Sequence, residues 1–152
     1  MKLWVDADAC PRDAKELIYR AAERLSVPTV LVANAALSIP RLAQVSLMRV
    51  KQGLDIADAA IVQESQTGDV AITADVPLAA LLVAKGVEVI DPRGEVYSPD
   101  SVAQRLAMRD FMQGLRDSGI PTEGPKTYGQ KDRQAFANAL DRVLTAAKHK
   151  AG

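Results

Sequence analysis

Short apolar runs alternate with helical patterns along the first two thirds of the chain, and this alternation constrains the fold more than any other feature. The runs are rich in β-branched residues and nearly continuous in apolar character. They occupy residues 2–5, 29–33, 45–50, 69–73 and 87–90. Apolar residues at helical spacing lie between them at 12–25, 54–64 and 77–85. Because strands that alternate with helices form βαβ units, we predict an α/β fold, a three-layer α/β/α sandwich around a mainly parallel five-stranded sheet.

Two C-terminal helices are predicted after the alternating part. The first begins with Ser98 as N-cap and ends before Gly119. The second begins near Asp132 and carries an apolar stripe, so it has to pack on the sheet or on a neighbouring helix. The tail at 148–152 is predicted to fray.

The length of 152 residues predicts one domain, with 1–95 forming the alternating core and 96–150 the helices packed on it. A single cysteine excludes an intrachain disulfide and favours a reducing compartment. We find no signal peptide and no apolar run that could span a membrane, so we expect a cytoplasmic protein without membrane association. Zero net charge and few aromatic residues (4%) argue against strong non-specific binding to nucleic acid and against a base-stacking platform.

Aspartates follow three of the predicted strands. Asp6 ends the first strand with Asp8 two residues on, Asp75 follows the fourth, and Asp55 and Asp58 open the helix after the third. Ligands bind at the carboxyl ends of strands in an open parallel sheet, and residues two apart in an extended chain point the same way. Carboxylate oxygens suit hard divalent cations, whereas one cysteine and one histidine make zinc a poor choice. The pattern therefore predicts a Mg²⁺ or Mn²⁺ site.

Helix capping is the alternative explanation for most of these acids. Asp8, Asp55 and Asp75 each precede a predicted helix, and Asp58 would add favourable charge to a first turn. Capping is the better explanation for Asp55 or Asp75 taken singly. Asp6, by contrast, lies at a strand end, too early to cap a helix. Since it also repels the neighbouring charge of Asp8, that pair calls for a cation.

Several polar residues near the same edge are candidates for binding a substrate. Arg93 lies in "DPRGEVY" after the fifth strand, and Lys126 and Arg133 lie in "GPKTYGQKDR", where glycines let backbone amides approach a phosphate. A solvated turn with helix-cap charges explains the second loop equally well. Asn34 ends the second strand and either orients a ligand or serves as a turn residue.

The other residues singled out are interpreted as structural. Cys10 has no histidine partner and two aspartates nearby, so we expect a buried, unreactive thiol. His149 lies in the tail and should be solvated, and Arg109, inside a helix, should be an ion-pair or surface residue. Trp4 on the first strand should belong to the core.

Five stretches in the same order, "VDADACP", "GLDIADAAIV", "ITADVPLA", "DPRGEVY" and "GPKTY…DR", resemble the bacterial YaiI/YqxD family of uncharacterised proteins over nearly the whole chain. That family resembles PIN-like nucleases, which hold Mg²⁺ or Mn²⁺ between acids at the ends of the first and fourth strands and an acid on an intervening helix. The matching acids are Asp6 and Asp75 on the strands, Asp58 or Asp55 on the helix, and Asp8 in the family's own motif. PIN-like nucleases often carry one more acid, for which Asp91 is the nearest candidate.

Acid at three strand ends beside a basic loop, together with this resemblance, makes a metal-dependent phosphodiesterase or ribonuclease the leading hypothesis. Asp6 and Asp75 would be catalytic, Mg²⁺ or Mn²⁺ the cofactor, RNA the partner, and Lys126, Arg133 and Arg93 the phosphate-binding residues. No side chain suits the role of general base, so the ion would have to activate the attacking water.

Two alternatives stay open. "VDAD" also resembles the D-x-D motif of haloacid-dehalogenase phosphatases, in which Asp6 would be the nucleophile, although the following "ACP" fits that class poorly. The other is a non-catalytic module on a PIN-like scaffold that binds nucleic acid or protein.

Overall fold

The computed structural model describes residues 1–53, 55–124 and 126–151. In this part of the chain the strands are β1 (Leu3–Asp6), β2 (Thr29–Ala33), β3 (Val45–Arg49), β4 (Val70–Ile72), β5 (Glu88–Ile90) and β6 (Val96–Tyr97). The helices are α1 (Arg12–Leu25), α2 (Ile56–Glu64), α3 (Val76–Lys85), α4 (Pro99–Asp117) and α5 (Gln130–Ala151). The predicted α/β class is confirmed.

The strands form one sheet in the order β3-β2-β1-β4-β5-β6, and all neighbours are parallel except β5 and β6. The chain builds outward from β1 to β3 on one side and then returns to add β4 on the other side of β1. The order therefore reverses between β1 and β4, where the carboxyl ends of an open sheet leave a crevice for ligands. Asp6 ends β1 at this point, and Asp75 follows β4.

The sheet has six strands rather than the predicted five. The additional strand, β6, has two residues and pairs antiparallel with β5 across a tight turn. Two residues are too few to produce an alternating pattern, so periodicity could not reveal this strand.

The helix boundaries agree with the prediction to within about two residues, except at the end of the chain. The predicted helix at 54–64 begins at Ile56, and Leu54 lies outside the described residues. The tail was predicted to fray, but α5 continues through Ala151. The ammonium group of Lys148 donates a hydrogen bond to the carbonyl of Leu25, which ties the last turns of α5 to the end of α1.

The sheet has a hydrophobic core on each face, which makes the three predicted layers. Leu3 and Val5 pack with α1 and α5 on one face, where Phe136 is fully buried. Trp4 packs with α2 and α3 on the other face and belongs to the core, as predicted. Among the described helices, none is long and apolar enough to cross a membrane.

The alternation of side chains along β1 also determines where Asp6 points. Leu3 and Val5 face α1 and α5, so Trp4 and Asp6 face the side of α2 and α3. The carboxylate of Asp6 is therefore directed toward the helices that carry Asp58 and Asp75.

Candidate metal and phosphate site

Asp6 is buried at the end of β1, with 7% of its surface exposed. The hydroxyl of Thr73 donates a hydrogen bond to its Oδ2 at 2.9 Å, and the same hydroxyl oxygen accepts one from the backbone N–H of Asp75 at 3.0 Å. Burial raises the pKa of Asp6; the Thr73 hydrogen bond opposes this, and the charges of Asp75 and Asp8 add to it. Thr73, which the sequence analysis did not single out, thus links the acid on β1 to the turn after β4.

Asp58 brings a second carboxylate to this edge from the first turn of α2. Its pKa is raised to about 7 by partial burial, then by the charges of Asp75 and Asp6, and by a hydrogen bond with Asp75. The raised pKa of Asp58 therefore reflects burial first and then repulsion by the neighbouring carboxylates. A cation would relieve the same repulsion.

Asp75 is the N-cap of α3, and its Oδ1 accepts the backbone N–H of Leu78 at 3.0 Å. The capping prediction is therefore confirmed for this residue. The charge of Asp75 is also among the causes that raise the pKa of Asp58.

The capping interpretation is wrong for Asp55 and Asp8. Asp55 precedes α2 with a left-handed backbone (φ 61°), and its side chain makes no capping hydrogen bond. Pro11 occupies the N-cap position of α1, and Asp8 instead accepts the backbone N–H of Asn34 at 2.7 Å. Asp8 is exposed and faces the end of β2.

Asn34 is held in the turn after β2 by this hydrogen bond to Asp8. Its side-chain oxygen Oδ1 is buried without a hydrogen-bond partner among the described residues. An unpartnered buried acceptor is costly, so this oxygen is available for a ligand or a water.

An acidic cleft of about 540 Å³ opens between α2, α3 and α4. Asp55, Asp58 and Asp75 supply its carboxylates, and Arg109 of α4 also lines it. Its apolar wall includes Pro77 and Leu81 of α3. Arg109 was predicted to be an ion-pair or surface residue. It is both, but the packing of α4 against α3, which no local pattern reveals, also brings it to this cleft.

The predicted phosphate-binding residues lie elsewhere. Arg93 forms an ion pair with Asp132 at 2.8 Å, donates to the carbonyl of Lys126, and lies over the ring of Tyr128 at 5.7 Å. These contacts fasten the loop before α5 to the β5–β6 turn, which gives Arg93 a structural role. Lys126 is exposed and Arg133 half-buried, and within the described residues none of the three basic side chains lines the acidic cleft.

Asp91 is the nearest candidate for a further acid, but its side chain stabilises the turn in which it lies. Its Oδ1 accepts the backbone N–H of Arg93 at 2.6 Å. Burial raises the pKa of Asp91, and its charged neighbours are Arg93, Glu95 and Arg105 rather than the aspartates of the cleft.

Cys10 is buried, as predicted. Burial raises the pKa of its thiol to about 12, which keeps the thiol protonated and unreactive near neutral pH. His149 is exposed, which agrees with the prediction of a solvated residue.

Within the described ranges, no three or more His, Cys, Asp or Glu side chains are already arranged to hold a metal ion. The donor set nevertheless suits a hard divalent cation, because Asp6, Asp58 and Asp75 offer only carboxylate oxygens from three different elements.

The fold and the cleft define an α/β protein with an acidic cleft at the switch point of its sheet. A family model described as "Uncharacterized BCR, YaiI/YqxD family" matches residues 4–146, so the chain belongs to this family, as its motifs predicted. A UPF0178 protein of Myxococcus xanthus is 60% identical over 145 residues, 95% of each chain. One of Klebsiella pneumoniae is 51% identical over 152 residues, 100% of each chain. No solved structure matches the chain.

Proposed function

We propose that the protein is a phosphodiesterase that depends on Mg²⁺ or Mn²⁺ and that works at the acidic cleft. The observation that carries the proposal is the convergence of Asp6, Asp58 and Asp75. Burial, and then the charges of Asp75 and Asp6, raise the pKa of Asp58 to about 7. A fold gains nothing in stability from gathering like charges, so we infer that the cluster is kept for binding a cation.

The position of the cluster supports the same function. The acids lie at the point where the strand order reverses, which is where open α/β sheets bind ligands. The adjoining cleft of about 540 Å³ has the size of a small-molecule or single-nucleotide site.

Each residue has a proposed role. Asp6, Asp58 and Asp75 would hold the ion, and Asp55, which lines the cleft together with Asp58 and Asp75, would be a further oxygen donor. A bound ion of this kind supplies an activated water and neutralises charge on the phosphoryl oxygens. Thr73 holds the carboxylate of Asp6 in place through its hydroxyl proton. Asp8, which faces Asn34, would act only through its charge on Asp6.

RNA is the substrate we propose first, because the family resembles PIN-like nucleases. Lys126 and Arg133 lie outside the cleft, so they would contact only a more distant part of a polymeric substrate. We propose that the metal site lies at the ends of the first and fourth strands, as it does in PIN-like nucleases.

The haloacid-dehalogenase alternative requires Asp6 to attack phosphorus directly. Asp6 is only 7% exposed, and its Oδ2 accepts a hydrogen bond from the hydroxyl of Thr73. These observations favour a ligand role for Asp6, and trapping with beryllofluoride would favour the nucleophile instead.

The test is hydrolysis of a panel of RNA and DNA substrates with Mn²⁺ or Mg²⁺, by the wild type and by Asp6→Asn. We expect the substitution to lower kcat/KM at least about 100-fold, because a loss of about 3 kcal/mol of transition-state stabilisation has that effect. Asp13→Asn, an exposed aspartate in the first turn of α1, is the matched control and should leave the rate unchanged. Absence of any metal-dependent cleavage, or equal rates for the three proteins, would contradict the proposal.

A further inference from the structure

Among the residues that the structure describes, Arg109 is the basic residue that lines the acidic cleft. It lies on α4, and the packing of α4 on α3 makes it part of the same cavity wall as Asp55, Asp58 and Asp75. The sequence predicted only that α4 packs on the core, but α4 also contributes a charged group to the cleft.

Within the described ranges, no acid of the cleft lies within ion-pair distance of the Arg109 guanidinium. In the part of the chain that the structure describes, its ion pair is with its neighbour Asp110, at 3.6 Å, and both side chains are more than half exposed (52% and 68%). Such a pair contributes little. Arg93 provides the contrast, since its guanidinium pairs with Asp132 at 2.8 Å and also donates to a backbone carbonyl.

A cleft lined by one arginine and several carboxylates suits one kind of ligand. The ligand has to present negative charge to the arginine while it also contacts a cation held by the acids. A phosphate group meets both requirements, and the planar guanidinium can donate two parallel hydrogen bonds to its oxygens.

The wall beside Arg109 indicates that the phosphate belongs to an organic ester. Leu81 lines the cleft and is 58% exposed, and Pro77 lies on the same helix. An apolar surface next to a charged pair can pack against the organic group of an ester, which free phosphate does not have.

We propose that Arg109 is the substrate-binding residue that holds the phosphate of an organic phosphodiester in the acidic cleft. This inference rests on the proposed function, and it assigns the phosphate contact to α4 instead of the loop at Lys126 and Arg133.

The experiment compares Arg109→Gln and Arg109→Lys with Arg116→Gln. Arg116 is a matched control because it lies two turns further along α4, is exposed, and donates a hydrogen bond to Gln113 instead of lining the cleft. Three quantities are measured: Mn²⁺ affinity by calorimetry, binding of inorganic phosphate to the Mn²⁺-loaded protein by phosphorus NMR relaxation, and KM with kcat for bis(p-nitrophenyl) phosphate.

We expect unchanged Mn²⁺ affinity in all variants. Phosphate binding should weaken about 10- to 100-fold in Arg109→Gln, the loss expected for one charge-assisted contact, and KM for the diester should rise by a similar factor. Arg109→Lys should recover part of the loss, and Arg116→Gln should behave as the wild type.

Two results would overturn the inference in different ways. If Mn²⁺ binds but Arg109→Gln and Arg116→Gln bind phosphate equally well, Arg109 has no phosphate-binding role and the proposed function is unaffected. If the wild type binds no Mn²⁺, the proposed function fails and this inference fails with it.

Discussion

Two buried aspartates lie at opposite ends of the adjoining strands β1 and β4, and their surroundings differ. Asp69, just before β4, and Asp6, at the end of β1, are each 7% exposed. Asp69 accepts three N–H groups, from the backbones of Lys2 and Gln66 and from the indole of Trp4, at 2.9–3.0 Å. Asp6 accepts one hydrogen bond, from the hydroxyl of Thr73, and lies near the negative charges of other carboxylates.

The difference separates a structural acid from a candidate functional one at equal burial. Donors on three sides stabilise the negative charge of Asp69, so it closes a turn and holds Trp4 in place. Asp6 has a single hydrogen-bond donor to stabilise its negative charge, and the negative charges of the nearby acids destabilise it further. Burial of an aspartate therefore says little about function until its partners are known.

The largest expected effect on stability is that of Asp69→Asn. The new amide nitrogen would face N–H groups that need acceptors, so we expect a loss of about 2–3 kcal/mol in the free energy of unfolding. Asp6→Asn, the same chemical change at the same burial, keeps an oxygen for Thr73 and removes a repulsive charge, so stability should stay unchanged or rise. Urea unfolding without divalent ions measures both. Equal losses in the free energy of unfolding of the two variants would contradict the distinction between Asp69 as a structural acid and Asp6 as a functional one.

A smaller effect on the free energy of unfolding is expected from a change of pH. The pKa of Asp58 rises from its ordinary value of 3.8 to about 7 on folding, so the folded state binds the proton more tightly than the unfolded state. The contribution of the protonated Asp58 carboxyl to stability is therefore full at low pH. It is lost as the pH rises from about 4 to about 7. Urea unfolding of the metal-free protein across this range should show the decline, and Asp58→Asn should flatten it. An identical pH profile in Asp58→Asn would show that the cluster does not strain the fold.

The smallest expected effect is that of Asp75→Ala on stability. Loss of the cap on Leu78 should lower the free energy of unfolding by about 1 kcal/mol, whereas Asp75→Asn, which can still cap, should be close to the wild type. Both variants should bind Mn²⁺ more weakly, which thermal shift measured with and without the ion would report. If Asp75→Asn kept full Mn²⁺ affinity, Asp75 would be a cap alone.

Much of this arrangement could be predicted from the sequence, and the rest depends on contacts between distant segments. Continuous apolar runs predicted the buried parallel strands, and strand ends predicted the meeting of Asp6 with Asp75. Thr73 was missed because a threonine at a strand end is ordinary until its two hydrogen bonds are known. Arg109 was missed because its place depends on how α4 packs on α3.

The basic loop is the opposite case, because a predicted site residue there already has a partner within the chain. Arg93 has the residue type and the sheet edge expected of a phosphate ligand, but its charge is paired with Asp132 on α5. The pairing joins residues 39 positions apart, so local sequence could not reveal it. Charge complementarity within the chain decides which basic residues are left for a ligand.

The most direct test of the cation site is calorimetric titration of Mn²⁺ into the wild type, Asp6→Asn and Asp69→Asn near neutral pH. We predict binding to the wild type with release of protons, because the pKa of Asp58 is about 7 and a carboxylate has to be ionised to bind the ion. Asp69→Asn should bind with the same affinity despite its lower stability, and Asp6→Asn should bind at least about 10-fold more weakly. Absence of binding to the wild type, or equal binding to Asp6→Asn, would contradict the account.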